Sequence, residues 1–226
     1  MDRFRSAMVA LLLALAAQAN ALGHAAEIVV SVADQELALL GRGKLLARYP
    51  VSTSKFGIGD TPGSYRTPLG VMYVSGKIGE GLPLGAVIKS RMPTGEVIFP
   101  NAAGRDPIVS RVLWLRGKES QNSNARERCI YIHGTAEEKR IGKRASFGCV
   151  RMRSKDVAAL YGRVHIGTTV TISEKRLSEF LPGGGNNVAV AFLLRSRQRE
   201  FGCGRPRDLA CEAGSGTALS NAPGHD

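Results

Sequence analysis

Tyr131-Ile132-His133-Gly134-Thr135 and, after a nine-residue connection, Ala145-Ser146-Phe147-Gly148-Cys149-Val150-Arg151-Met152 hold the densest chemistry in this chain. The first segment, read from Cys129, has the aliphatic and aromatic density of a β-strand and ends on a histidine. His133 precedes Cys149 by 16 positions, a separation that lets the intervening loop fold back and bring the two together. A nucleophilic cysteine reacts as its thiolate, so it needs a base within hydrogen-bond reach and positive charge nearby to lower its pKa. Seven cations (Lys139, Arg140, Lys143, Arg144, Arg151, Arg153, Lys155) surround Cys149 in sequence with no acid among them. Such a loop is expected to favour the thiolate and to attract a carboxylate-bearing substrate. Gly148 lets the backbone approach a ligand closely, and amides around Cys149 are candidates to stabilise an oxyanion.

Working outward, most of the chain from Glu27 reads as short β runs with hairpin spacing. Ile28–Val32 and Glu36–Leu40 flank an Ala33-Asp34-Gln35 turn, and Gly41-Arg42-Gly43 leads into Lys44–Val51. Further strand candidates are Val71–Val74, Val87-Ile88, Val97–Phe99, Val109–Leu115, Cys129–His133 and Thr169–Ile172, with the Gly- and Pro-containing stretch 57–68 read as a loop. One helix is expected after the nucleophile segment. Ser154 is placed to cap it, Asp156 falls in its first turn, and Val157, Leu160, Tyr161 and Val164 recur at helical spacing. The expected architecture is mainly β, mostly antiparallel, with one or two helices.

The flanks differ in composition. Arg3 and Arg5, an 11-residue apolar run from Ala7 to Ala17 and the small-x-small site Ala19-Asn20-Ala21 form a signal-peptide pattern over residues 1–21. About 20 apolar residues are needed to cross a bilayer, so this run is too short for a transmembrane anchor. The expected location is periplasmic or otherwise exported. After Pro182 a Gly- and Asn-rich break opens a tail, residues 182–226, expected to be flexible. Of 226 residues with a net charge of +12, the leader and the tail hold +1 each, leaving +10 on residues 22–181. Export removes nucleic acid as the partner of that charge and leaves an anionic extracellular polymer.

The same residues bear on other chemistries. Four cysteines (Cys129, Cys149, Cys203, Cys211) in an exported chain are compatible with two disulfides, and Cys203 with Cys211 is the pair expected if Cys149 is kept free for chemistry. Cys129-x3-His133 with Cys149 lacks an evident fourth ligand and matches no common zinc spacing, so no metal is expected. Ser52-Thr53-Ser54-Lys55 matches Ser-x-x-Lys, but it follows Pro50, runs into Gly57 and has no helix to place its serine and lysine on consecutive turns.

The His-Gly pair, the gap, and Ser146-Phe147-Gly148-Cys149-Val150-Arg151 resemble the L,D-transpeptidases, whose catalytic domain is also called the YkuD domain. Tyr49-Pro50-Val51-Ser52-Thr53-Ser54 and Arg66-Thr67-Pro68-Leu69-Gly70 resemble two further motifs of that family, in the same order, and the likeness runs from about Ile28 to Ile172. The resemblance implies a β-sandwich-like catalytic domain over residues 27–181. It implies a cysteine that attacks the carbonyl joining the third and fourth residues of a peptidoglycan stem peptide, releasing D-alanine. An amine of another stem, of an outer-membrane lipoprotein, or water would then resolve the thioester, with no cofactor. Carried over, Cys149 is the nucleophile, His133 the base, and the Gly134 carbonyl orients the imidazole. Ser146 and Gly148 shape the nucleophile loop, and Arg151 holds that loop or binds a stem carboxylate. Many members have His where Phe147 stands, so Phe147 is expected to alter the substrate pocket. A non-catalytic wall-binding module keeping the same fold is the alternative.

Overall fold

In the computed structural model, residues 26–102 and 104–181 are described, so the leader (1–21) and the tail (182–226) lie outside the described residues. Among the described residues the chain forms ten strands: β1 Glu27–Ser31, β2 Glu36–Gly41, β3 Lys44–Pro50, β4 Gly70–Ile78, β5 Ala86–Lys89, β6 Met92–Val97, β7 Ile108–Gly117, β8 Tyr131–Thr135, β9 Val150–Met152 and β10 Thr169–Ser173. They join in the order β3-β2-β1-β10-β4-β7-β5-β6, with β8 paired to β7 and β9 to β8. The pairs β1–β10 and β8–β9 are parallel and the rest antiparallel. The fold is mainly β, with one α-helix among the described residues, α1 Ser154–Tyr161.

One apolar core runs from β2 to β9. Ile28 and Leu39 on one side, Met72 and Leu113 in the middle, and Ile132 and Val150 beside Cys149 all belong to it, with Val157 and Leu160 of α1 closing it. Strand alternation makes this possible, because residues two apart share a face. A smaller cluster forms on the reverse face, where Val29, Ala38 and Leu40 pack on Leu177. A third lies outside β7 and β8, built on Ile88, Val112 and Tyr131.

Three local expectations are corrected. The apolar run 97–99 is not the strand; β6 precedes it and holds Pro93 and Gly95, residues that read as loop. β6 is exposed throughout and pairs only with β5, the edge setting in which proline is tolerated. Ser154 is the first helical residue and not the cap: the N-cap is Arg153, without a side-chain bond, and the Ser154 amide donates to the Glu138 carboxylate at 2.8 Å. That carboxylate satisfies an orphan donor and complements the helix dipole from 16 residues upstream. Finally, Val150–Met152, read only as part of the cysteine motif, is a strand, parallel to β8 in the register Ile132↔Val150, His133↔Arg151, Gly134↔Met152.

Candidate active site

Register settles which side chains face each other. Val112↔His133 and Trp114↔Tyr131 pair across β7–β8, and His133↔Arg151 across β8–β9, so these residues share the outer face. Leu113, Ile132 and Val150, one step along each strand, point into the core. Cys149 immediately precedes β9 and joins the outer cluster with Val112 and Tyr131, which puts the thiol on the His133 side of the sheet, diagonal to it.

His133 is buried, and its Nδ1 lies 2.8 Å from the Gly134 carbonyl oxygen. A carbonyl only accepts, so Nδ1 carries the proton and Nε2 keeps the lone pair that a base needs. Gly134 itself sits where β7 and α1 press close: a Cβ there would collide with the Val109 carbonyl oxygen and crowd Val157. Burial lowers the His133 pKa to about 4. The Gly134 bond and Asp106 oppose that shift, and Arg151 adds to it. At neutral pH the imidazole is therefore uncharged and able to take a proton.

The Cys149 sulfur sits in a backbone cradle. The Tyr131 amide donates to Sγ at 3.4 Å, and the thiol donates to the Cys129 carbonyl at 3.4 Å. Burial raises its pKa above the usual thiol value, against the pull of the Tyr131 amide, Arg151 and Arg128. The thiolate-favouring field expected from the seven local cations is thus corrected. The two cations that act on the sulfur are both ion-paired with acids from elsewhere in the chain. Arg151 Nη1 lies 2.7 Å from Asp106 Oδ2 and 3.6 Å from Glu137 Oε2, and Arg128 Nη1 lies 2.9 Å from Asp60 Oδ1. Burial thus disfavours the charged form of both groups, the thiolate and the imidazolium.

The Cys149 loop is held by both outlying motifs. Thr53 O accepts the amides of Ala145 and Ser146 at 2.9 Å, and Ser52 exchanges two backbone bonds with Arg151 at 2.9 Å. Ser52 and Ser54 therefore lie in β-bridges and Lys55 in a turn, not in a helix, which removes the serine–lysine chemistry of Ser-x-x-Lys. Thr67 Oγ1 donates to the Gly148 carbonyl at 2.9 Å and accepts the Ser54 amide at 3.0 Å. Gly148 has φ +119, outside the reach of an L side chain, and a Cβ there would press on the Arg66 carbonyl oxygen. Ser146 Oγ donates to the Cys149 carbonyl at 2.6 Å and accepts the Gly148 amide at 3.3 Å, bracing the turn from inside. Arg151, held by two carboxylates, is engaged in fixing this loop.

Phe147 points outward. It is exposed and stacks with Phe56 (centroids 5.6 Å) and Tyr65 (5.9 Å), with Lys55 Nζ 4.4 Å above its ring. A cleft lined by Ile78, Ile88, Ile108, Val112, Arg91 and Tyr131 shares Ile88, Val112 and Tyr131 with the cluster against which Cys149 packs.

Several contributors carried no sequence signal. Asp106 holds Arg151 and also accepts from Thr135 Oγ1 and from the Glu137 amide. Arg128 ties the Asp60 loop to the Arg66 carbonyl. Cys129 is disulfide-bonded and Cys149 is free, while Cys203 and Cys211, the pair expected to join, lie outside the described residues. Among the described residues, no group of three His, Cys, Asp or Glu could hold a metal ion, and no helix is long and apolar enough to cross a membrane.

The family model of the L,D-transpeptidase catalytic domain, YkuD, matches residues 25–172. The putative L,D-transpeptidase YkuD of Bacillus subtilis is 52% identical over 86 residues, 38% of this chain and 48% of that protein. The probable L,D-transpeptidase YbiS of Escherichia coli K12 is 36% identical over 75 residues, 33% of this chain and 24% of that protein. The matches thus span between a quarter and a half of these relatives' own length. Solved structures with similar coordinates include an L,D-transpeptidase from Mycobacterium smegmatis (TM-score 0.42, 18% identity, 67% of this chain and 59% of that one). Another is L,D-transpeptidase 3 from Mycobacterium tuberculosis with a faropenem-derived adduct (TM-score 0.44, 18% identity, 67% and 61%).

Proposed function

Because the chain belongs to the YkuD family of L,D-transpeptidase catalytic domains, we propose that it is an exported cysteine transpeptidase acting on peptidoglycan stem peptides. The observation that carries this reading is the His133 ring, locked by its Nδ1 on the Gly134 carbonyl so that Nε2 remains a base on the face that holds Cys149. In the proposed reaction the Cys149 sulfur attacks the carbonyl of the stem's third residue while Nε2 takes the thiol proton. The carbon–nitrogen bond to D-alanine breaks, and the imidazolium returns its proton to the leaving amine. An acceptor amine then displaces the thioester, giving its proton to Nε2, and the free thiol is restored. The Ser146, Gly148 and Thr67 bonds hold the turn that aims the sulfur, and Arg151 secures it through Asp106.

Two measurements test the reading. Cys149→Ala should abolish release of D-alanine from tetrapeptide stems while leaving the circular dichroism unchanged; turnover retained by that variant refutes it. A carbapenem should add its mass at Cys149 of the native protein, and absence of an adduct counts against a reactive thiol. Sacculi incubated with the protein separate the acceptors: 3→3 cross-linked dimers, lipoprotein-bearing stems and tripeptides are distinct products. Binding to sacculi with no change in their muropeptides would establish the non-catalytic module instead. Export is supported by the leader pattern of residues 1–21 and predicts a mature N-terminus following Ala21 or Ala25 in the exported fraction.

A further inference from the structure

Arg151, the guanidinium positioned by sequence to meet a substrate carboxylate, is already neutralised by Asp106 and Glu137. A different pair of cations stands without a carboxylate on the same face. Arg126 Cζ lies 4.1 Å and Arg91 Cζ 5.1 Å from the centroid of the Trp114 ring. Trp114 meets Tyr131 edge-on, with centroids 5.9 Å apart and planes at 74°. Arg126 is fixed there, its Nη1 donating to Ser75 Oγ at 2.7 Å and its carbonyl accepting the Trp114 indole N–H at 3.1 Å. Arg91 and Tyr131 line the same cleft. Neither arginine takes part in an ion pair among the described residues, in contrast to Arg128 and Arg151. Two guanidiniums on one ring concentrate positive charge beside Tyr131, and a bound anion would offset it.

Backbone strain falls at the same point. Arg91 is the second residue of the two-residue turn joining β5 to β6, and Ser90 and Arg91 have φ of +48 and +66. This is the turn geometry usually given to Asn-Gly, and two residues with Cβ atoms occupy it at a cost in conformational energy. The turn places Arg91 at the rim of the cleft whose walls include Ile78, Ile88 and Val112. Apolar walls strengthen any charge pairing made inside them. Tyr131 joins this place to the nucleophile, since its amide touches Cys149 Sγ while its ring abuts Trp114.

We propose that Arg91, Arg126 and the Tyr131 hydroxyl, arranged on Trp114, form a carboxylate-binding subsite that seats the acyl donor beside Cys149. Paired planar guanidiniums match a carboxylate by bidentate hydrogen bonding. The subsite deepens the reading above and rests on it. Two carboxylates of a stem tetrapeptide have this chemistry: that of the terminal D-alanine, and that on the side chain of a diaminopimelate third residue.

Trp114 is the single tryptophan of the chain, so its emission reports the subsite directly. The protein carrying Cys149→Ala is titrated with a diaminopimelate tetrapeptide in three forms: free acid, amidated on the D-alanine carboxylate, and amidated on the diaminopimelate side chain. The free acid should shift Trp114 emission saturably. Amidation of whichever carboxylate enters the subsite should weaken binding at least about tenfold, as should Arg91→Gln with Arg126→Gln. In otherwise native protein the same double substitution should raise KM for the free acid by a similar factor with kcat little changed. Equal affinity for all three forms, no emission change, or unaltered binding by the double variant overturns the subsite. Absence of turnover by native protein on any stem overturns the reaction itself, a separate outcome that the binding titration does not share.

Discussion

Strands β7 to β9 have two faces that are built for opposite purposes. On the inner face Leu113, Ile132 and Val150 are fully buried in the main core with α1. One residue along each strand, Val112, Trp114, Tyr131, His133 and Arg151 meet the thiol, a cleft and three guanidiniums. The period of two lets one segment anchor itself through apolar burial and present chemistry through its neighbours, so errors on the two faces should have separable consequences.

Substitutions can break that comparison, beginning with the outer face. Cys149→Ala should lower acyl transfer by roughly 10⁴-fold or more with unchanged melting temperature, because the covalent route disappears while little packing is lost. His133→Gln should follow, at about 10² to 10⁴-fold in kcat/KM, since the thiol then lacks the base its raised pKa demands. Ile132→Ala, next to His133 in sequence but on the inner face, should cost about 3–4 kcal/mol of stability in denaturant unfolding, with kcat per folded molecule nearly kept. If it instead spares stability and destroys kcat, the two faces are not independent.

Acid sharpens the same point. The folded state holds His133 neutral down to about pH 4, whereas the unfolded chain takes up that proton near the ordinary value of 6.5. Between those values the unfolded state binds more protons, so stability is full above about pH 6.5, falls as pH drops to about 4, and loses about 3 kcal/mol in all. Urea unfolding from pH 7.5 to 4 should show this slope in the native protein and a shallower one in His133→Gln. The smallest effect is expected at Thr67→Val, which strips the bonds to Gly148 and Ser54: about 2 kcal/mol in stability, with kcat reduced more than KM because the nucleophile turn loosens.

Much of the framework is legible along the chain because short apolar runs between Gly- and Pro-containing turns have few alternatives to β structure. Its failures have local causes. Met92-Pro93-Thr94-Gly95-Glu96-Val97 carries no apolar alternation, since both faces of this edge strand meet solvent. The helix cap comes from Glu138, which no i,i+3 pattern could reveal. The nucleophile, the histidine and the two buttressing motifs are all written out, but not that Ser52, Thr53 and Thr67 converge on residues 145–151. Those contacts join positions about 80 to 100 residues apart.

Residue identity alone decides the chemistry on offer: a cysteine after glycine, a histidine before glycine, and an excess of cations around them. Folding decides the charge state in which that chemistry rests. Electrostatic interaction and desolvation depend on distance in space and on burial, so acids remote in sequence can cancel cations near in sequence. Asp106, Glu137 and Asp60 arrive to neutralise Arg151 and Arg128, burial disfavours the charged forms of thiol and imidazole, and Arg91 and Arg126 gather on Trp114 without an ion pair among the described residues.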